Sequence, residues 1–292
     1  MAQNGGEVKV RIVTVAFENI DGLLRLLNSL ALHWKAPDTE VIIYDNGGCR
    51  EASENWIRRA SSSLPFQIEV IGSGKNLGFS AAVNRTSERP GSWTHLLLLN
   101  PDAWLSSDVT EKTLATLKTH NGIVGLRVFD DANQSTRQMS ARRFPSLLTS
   151  LTGREGLITR IWPDNPWSRK YLATDLAPDA AASVDWVSGC ALWVDRESWI
   201  QLRGFDESYF LYVEDVDLGR KAERLNIPVT YLPVIDVVHE PRGSSKKSPH
   251  KADFYHHMGM WIYHVKWAGL IGWLIGPFVF LGIWLRFVLR RL

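Results

Sequence analysis

Three stretches of this chain carry side chains that can do chemistry. Glu214-Asp215-Val216-Asp217 places three carboxylates at the start of a segment that ends in bases. That charge order suits a helix on its own dipole. The preceding SGCALWVDRESWIQLRGFDESYFLYV is aromatic and apolar, and carboxylates leaving such surroundings acquire the raised pKa that a general base requires. Asn100-Pro101-Asp102 is a tight turn in which proline fixes the backbone and the flanking side chains can point the same way. An Asp there suits Mg²⁺ or Mn²⁺ bound to a diphosphate, and it also suits an ordinary Asx turn. His239 follows an apolar strand; a lone histidine is usually structural, and this one gains interest only if it meets Asp102.

The glycine-rich loop GSGKNLG, Gly72–Gly78, fits neither of two familiar phosphate motifs. A dinucleotide fingerprint would need its third glycine one position earlier, and a phosphate loop would need Gly at 69 and Ser or Thr at 76, where Glu69 and Asn76 stand. Such a turn can still meet an anion through its backbone N–H groups. His250, His256, His257 and His264 lack zinc spacing and cysteine company.

The elements that position these residues read as an α/β pattern. Strands are expected at 8–17, Glu40–Tyr44, Phe66–Ile71 and His95–Leu99. Helices are expected at Ile20–Trp34, around Ala52–Ala60 and from about Ser80. This rhythm predicts a mostly parallel sheet with helices on both faces, and ligands beyond the carboxyl ends of its strands. Asp45-Asn46, the 72–78 loop and Asn100–Asp102 all fall at those ends. Further on, Val184–Val194 reads as a strand interrupted at Ser188-Gly189. Glu197–Leu202 and Val213–Leu225 read as helices, and Val229–Leu232 and Ile235–Val238 as two short strands.

Length and composition narrow the class. A 292-residue chain with 45% hydrophobic and 22% charged residues is globular, neither disordered nor coiled coil. Two cysteines cannot form a disulfide framework, so a reducing compartment fits. The net charge of +2 decides nothing about nucleic acid. Charge is unevenly placed, however. Residues 265–292 carry Lys266, Arg286, Arg290 and Arg291 and no acid, which leaves a net −2 for residues 1–264. Between Lys266 and Arg286 run 19 uncharged residues, WAGLIGWLIGPFVFLGIWL, close to the roughly 20 that span a bilayer as a helix. A buried C-terminal helix is the alternative. Four glycines, Pro277 and basic residues on both sides favour a re-entrant or in-plane helix over a span. The N-terminus lacks a basic region followed by an apolar stretch, so no signal peptide is expected. The domains expected are 1–245, catalytic, and 246–292, a membrane-associating helical segment.

Taken together, RIVTVAFEN, EVIIYDNGG, GKNLGFSAAVNR, LLLLNPDAWL, SGCALWV, RGFDESYFLYVEDVDLGRK and VVHEPRGSS resemble the inverting, metal-dependent family 2 glycosyltransferases with the GT-A (Rossmann-like) fold. Within that family they look like the bacterial rhamnosyltransferase branch. The resemblance runs from about Val10 to Ser245. It implies that Asp45 accepts from the donor's base ring, with Phe17 and Asn19 lining the pocket, and that Asn76, Gly78 and Asn84 hold the nucleotide and sugar. It makes Asp102 and His239 metal ligands for Mg²⁺ or Mn²⁺, and Asn100 the first position of a DxD-like motif, where Asp is commoner. Asp215 becomes the general base, and Glu214 orients sugar hydroxyls.

The donor implied is dTDP-rhamnose, with UDP-galactofuranose or a UDP-hexose as alternatives. The acceptor is a polyprenyl-diphosphate-linked glycan or growing polysaccharide at the cytoplasmic membrane face. Arg142 and Arg143 could meet its diphosphate, and Trp186 and Trp193 flank its side of the site. No nucleic-acid partner follows; a homodimer is compatible. A sugar nucleotidyltransferase would need a glycine-rich basic loop after the first strand, where Val15–Asn19 offers none. A carbohydrate-binding pseudoenzyme is opposed by Asp102, Asp215 and His239.

Overall fold

The computed structural model describes residues 7–60, 63–146, 159, 161–162, 165–174, 177, 179–239 and 249–289. Its order begins β1 (Val10–Phe17), α1 (Ile20–His33), β2 (Thr39–Gly47), α2 (Arg50–Ala60), β3 (Gln67–Ile71), α3 (Phe79–Ser87), β4 (His95–Leu99). Then come β5 (Ala103–Leu105), α4 (Thr110–Leu117), β6 (Ile123–Phe129), β7 (Ala141–Arg142), α5 (Pro166–Leu172), β8 (Ala182–Ser183), β9 (Trp186–Val187) and β10 (Ala191–Asp195). The chain closes with α6 (Arg196–Leu202), α7 (Glu214–Leu225), β11 (Val229–His239), α8 (Pro249–Trp267), α9 (Gly269–Leu274) and α10 (Gly276–Leu289).

The main sheet runs β3-β2-β1-β4-β10-β6-β11-β5, with β8 on β11, and β7 and β9 pair separately. Its central strands β1, β4 and β10 are near-continuous apolar runs because helices cover both faces, while edge strand β3 alternates. In β4, Leu97 and Leu99 enter one core while Leu96 and Leu98 enter the other. Contacts β1–β2, β1–β4, β2–β3 and β6–β11 are parallel, while β10 lies antiparallel between β4 and β6. The carboxyl ends of β1, β2, β4, β6 and β11 therefore share one edge, and the amino end of β10 joins them there.

Several sequence expectations change in detail. Elements β5, α4 and β6 occupy a stretch with no expected elements. The interruption at Ser188-Gly189 separates strands of two different sheets. The two short strands after residue 229 are one strand, β11, whose register slips between Tyr231 and Asp236, around Pro233. Trp186 and Trp193 are buried at 6% and 1% exposure. Both are core residues rather than an acceptor-facing pair.

The C-terminal apolar run is broken at Ala268 and Ile275 into α8, α9 and α10, and none of the helices among the described residues is long and apolar enough to cross a membrane. Helix α8 packs on the body through Tyr263, which joins Trp186, Tyr209, Val213 and Val216 in one buried cluster. Its last turn is stapled down as well. Lys266 Nζ reaches Asp206 (2.7 Å) and Asp217 (2.9 Å), and Trp267 Nε1 donates to Asp217 (2.7 Å). Helix α10 packs on α8 through Phe254–Trp284 and Trp261–Phe280 ring contacts. Its other side, with α9, exposes Leu270 (80%), Trp273, Leu274, Phe278 (77%), Leu281 and Leu285. Arg242, Lys246, Lys247, Arg290, Arg291 and the expected boundary at 245/246 lie outside the described residues.

Candidate active site

The sheet edge builds one half of the site. After β4 the chain turns at Asn100-Pro101-Asp102, closed by Ala103 N–H donating to the Asn100 carbonyl (3.0 Å). Strand β5 then pairs antiparallel with β11, Ala103 opposite His239. This brings Asp102 Oδ1 to 3.2 Å from His239 Nε2, with both side chains about one-seventh exposed, at 13% and 15%. The Gln138 amide donates to the His239 carbonyl (3.1 Å) and faces Nδ1 (3.1 Å from Nε2, 3.3 Å from Oε1). It can therefore orient the ring in either tautomer, the arrangement that outer-sphere partners give ligating histidines. Just past the end of the adjoining strand β6, Asp130 keeps one buried carboxylate oxygen without a hydrogen bond. One carboxylate and one oriented imidazole fit a divalent cation that takes its remaining ligands from diphosphate and water.

The other half comes from α7. Tyr212 and Val213 precede it with φ of 69° and 70°. Neither residue favours the left-handed region, and a β-branched valine there is an outlier of the kind that costs roughly 1–3 kcal/mol and clusters at functional sites. The turn aims Asp215 at the break between β9 and β10. Asp215 Oδ2 accepts from Gly189 N–H (3.1 Å) and Oδ1 from Val216 N–H (2.9 Å).

Burial raises the Asp215 pKa, against the pull of those two N–H groups and of the Arg142 charge. Glu214 is pushed well above the carboxylate range, by burial first and by the charge of Asp215 second. Its Oε2 is buried without a hydrogen-bond partner. Cys190 links the halves. Its carbonyl accepts from Asn100 N–H (2.8 Å), and its thiol is pushed up to about 12 by burial first, then by the charges of Asp215 and Asp102. Asp102 and Asp215 thus both lie near enough to Cys190 for their charges to act on its thiol.

Asp217, the third acid of the motif, is wholly buried and taken by Tyr209, Lys266 and Trp267. Arg142 leans on Trp186 (5.4 Å to the ring) and donates from Nε to the Met139 carbonyl (2.9 Å), whereas Arg143 pairs with Asp185 (3.2 Å).

The donor-side residues cluster at the ends of β1, β2 and β3. Asp45 is buried, and its Oδ1 accepts from Gly47 N–H (3.1 Å) and Cys49 N–H (3.0 Å), which starts α2. Phe17 lies against Gly47. Asn19 caps α1 through Gly22 N–H (3.2 Å), and its Nδ2 is buried without a partner. Asn46, which sequence places beside Asp45 at the strand end without a role, ties down the glycine-rich loop: Leu77 N–H donates to its Oδ1 (2.9 Å) and its Nδ2 donates to the Gly78 carbonyl (2.9 Å). Asn76 accepts from Gly78 N–H (2.9 Å). Gly78 has φ of 84°, and a Cβ there would stand 2.6 Å from the Phe210 carbonyl, so glycine is required.

The Asn84 amide is occupied. Oδ1 accepts from Phe205 N–H (2.9 Å), and Nδ2 donates to the Phe205 carbonyl (2.9 Å) and to Glu207 (3.1 Å). Gln138 and the role of Asn46 were missed because their partners lie 101 and about 31 residues away.

The sequence profile described as glycosyl transferase family 2 matches residues 11–172, more than half of the chain. The chain belongs to glycosyl transferase family 2. This family 2 glycosyltransferase is 29% identical over 280 residues to the N-acetylglucosaminyl-diphospho-decaprenol L-rhamnosyltransferase of Mycobacterium tuberculosis, with 88% of each chain covered. It is 24% identical over 188 residues to rhamnosyltransferase WbbL of Escherichia coli K12, covering 64% of this chain and 67% of that protein.

Among solved structures it resembles the mannosyltransferase PcManGT of Pyrobaculum calidifontis in complex with GDP-Man and Mn²⁺, at TM-score 0.60 and 12% identity, over 90% of this chain and 64% of that one. GalNAc-T7 with UDP, GalNAc and Mn²⁺ gives TM-score 0.57 and 13% identity over 81% of this chain, which spans less than half (44%) of that structure. Identities this low speak to fold alone, and the fold is GT-A-like, as the sequence motifs imply.

Proposed function

We propose that this glycosyltransferase moves L-rhamnose from dTDP-rhamnose, with inversion, to a glycan carried on polyprenyl diphosphate. The observation that carries the reading is the 88% mutual coverage at 29% identity with a rhamnosyltransferase whose name specifies an N-acetylglucosaminyl-diphospho-decaprenol acceptor. The site supports the chemistry. Asp215, with its pKa raised, takes the proton of the attacking hydroxyl, and a single base suffices for one direct displacement. Glu214, neutral in its buried position, donates to a sugar hydroxyl. Asp45, Phe17, Asn19, Asn76 and Gly78 form the nucleotide side, and Asn84 holds the loop behind it. Asp102 and His239 would hold Mg²⁺ or Mn²⁺, which when bound supplies charge stabilisation to the diphosphate leaving group.

Residues 1–245 form the catalytic body in this reading. Residues 246–292 bring it to the lipid, with the exposed apolar side of α9 and α10 lying in the cytoplasmic face of the membrane. The test is a panel of nucleotide sugars offered with an N-acetylglucosaminyl-diphospho-polyprenol acceptor, with Asp215→Asn as control. Transfer from dTDP-rhamnose is expected, with a loss of roughly 10²–10⁴-fold in the variant while donor binding persists. Transfer only from UDP-galactofuranose or a UDP-hexose would overturn the donor, and retained turnover in Asp215→Asn would remove it as the base.

A further inference from the structure

We propose that α8, none of whose residues is assigned to the site above, positions Asp215 by clamping the strained turn that starts α7. The proposal rests on the reading of Asp215 as general base. Two consecutive left-handed residues, Tyr212 and Val213, have no sequence preference for that conformation, so surrounding structure must impose it. Val213 is also the N-cap of α7, one residue before Glu214, and no side chain caps that helix start. The direction in which Asp215 leaves the backbone is therefore set by whatever holds residues 212 and 213.

Helix α8 touches the turn itself. A Cβ added at Gly259 would lie 3.0 Å from the Tyr212 carbonyl oxygen and 3.0 Å from Val213 Cγ2, so the helix backbone sits directly on the two left-handed residues. The same helix grips the chain before the turn and after it. Before it, Tyr255 stacks on Phe210 with ring centroids 4.3 Å apart. After it, Tyr263 accepts from Arg220 Nε (2.7 Å). Lys266 holds both sides at once, through Asp206 and Asp217. That ion pairing lowers the Asp206 pKa to about 2 in spite of its partial burial. Packing alone needs no cation bridging two carboxylates from opposite sides of a turn, and that bridge fixes the spacing of the segments flanking Asp215.

Gly259→Ala in the full chain separates positioning from stability. Alanine is the better helix former, so α8 itself is not weakened, while the new methyl must push the turn by a few tenths of an ångström. The expected result is an unchanged thermal midpoint and donor KM, with kcat lowered by about 10- to 100-fold, as small misplacements of reacting groups cause. Lys266→Met should lower kcat similarly, and Lys266→Arg should restore most of it. On an Asp215→Asn background, Gly259→Ala should change residual turnover no further. Unchanged kcat in both Gly259→Ala and Lys266→Met, or a loss that merely follows the folded fraction, overturns the proposal. If Asp215→Asn retains turnover, the base reading fails and this inference falls with it; if Asp215→Asn is inactive while neither Gly259→Ala nor Lys266→Met is impaired, this inference alone fails.

Discussion

At the scale of single residues, the protonation of Asp215 decides the pH range in which the proposed transfer runs. Burial raises its pKa from the ordinary Asp value, and the Gly189 and Val216 N–H groups and the Arg142 charge pull it back. A base works ionised, so kcat/KM should decline as pH falls through that raised value. Arg142→Met removes the opposing charge, which lifts the pKa further, so the acid limb should move to higher pH. Activity well above the limb should stay close to wild type. A pH–rate profile of kcat/KM for both proteins checks this, and a limb that stays in place or moves to lower pH refutes the electrostatic link. Glu214 is raised as well, by burial first and by the Asp215 charge second, so the two carboxylates titrate as a pair.

At the scale of elements, Asn84 shows what sequence can and cannot reveal. The resemblance makes it a donor ligand, yet in the fold its amide joins α3 to the loop that leads into α7 through three hydrogen bonds. Asn84→Ala should therefore cost about 1–3 kcal/mol of stability, the scale of leaving buried polar groups unsatisfied. Chemical denaturation measures it, and an unchanged midpoint would return Asn84 to the ligand side.

β1, β2 and β4 were readable because both faces are covered and each is a near-continuous apolar run, and β3 because QIEVI alternates polar and apolar residues at the sheet edge. β5 was not, since three residues carry no period, and neither was β6, where Gly125 and Arg127 interrupt IVGLRVF. Arg127 is tolerated there because it pairs with Asp236 on neighbouring β11, a contact that sequence does not announce. Strand direction is equally silent: nothing local in ALWVD says that β10 runs antiparallel. Motif reading singles out Asp102, His239 and Asp215. That Asp102 meets His239 depends on β5 pairing with β11, and Asp215 reaches Gly189 just ahead of β10, which enters between β4 and β6.

At the scale of the whole molecule, the structure redistributes the charge of the C-terminal segment. Lys266, one of its four cations, is engaged by Asp206 and Asp217, so it serves the body rather than a lipid surface. Truncation from residue 265 would also remove Trp267, another partner of Asp217, and would confuse loss of attachment with loss of fold. Helix α9 has 6 residues and α10 has 14. At 1.5 Å per residue, α10 is about 21 Å long, short of the roughly 30 Å hydrocarbon core. Lying in the interface plane suits both helices better than spanning, with the exposed Leu270, Leu274, Phe278 and Leu281 as the buried face. Leu274→Glu with Phe278→Glu changes only exposed positions, so the thermal midpoint should hold. Co-sedimentation with anionic phospholipid vesicles should fall at least tenfold, because each charge must leave water. Transfer to a lipid-linked acceptor in vesicles should drop with it, while donor hydrolysis in solution stays constant. Undiminished vesicle binding by the double variant would remove the α9–α10 face as the membrane contact.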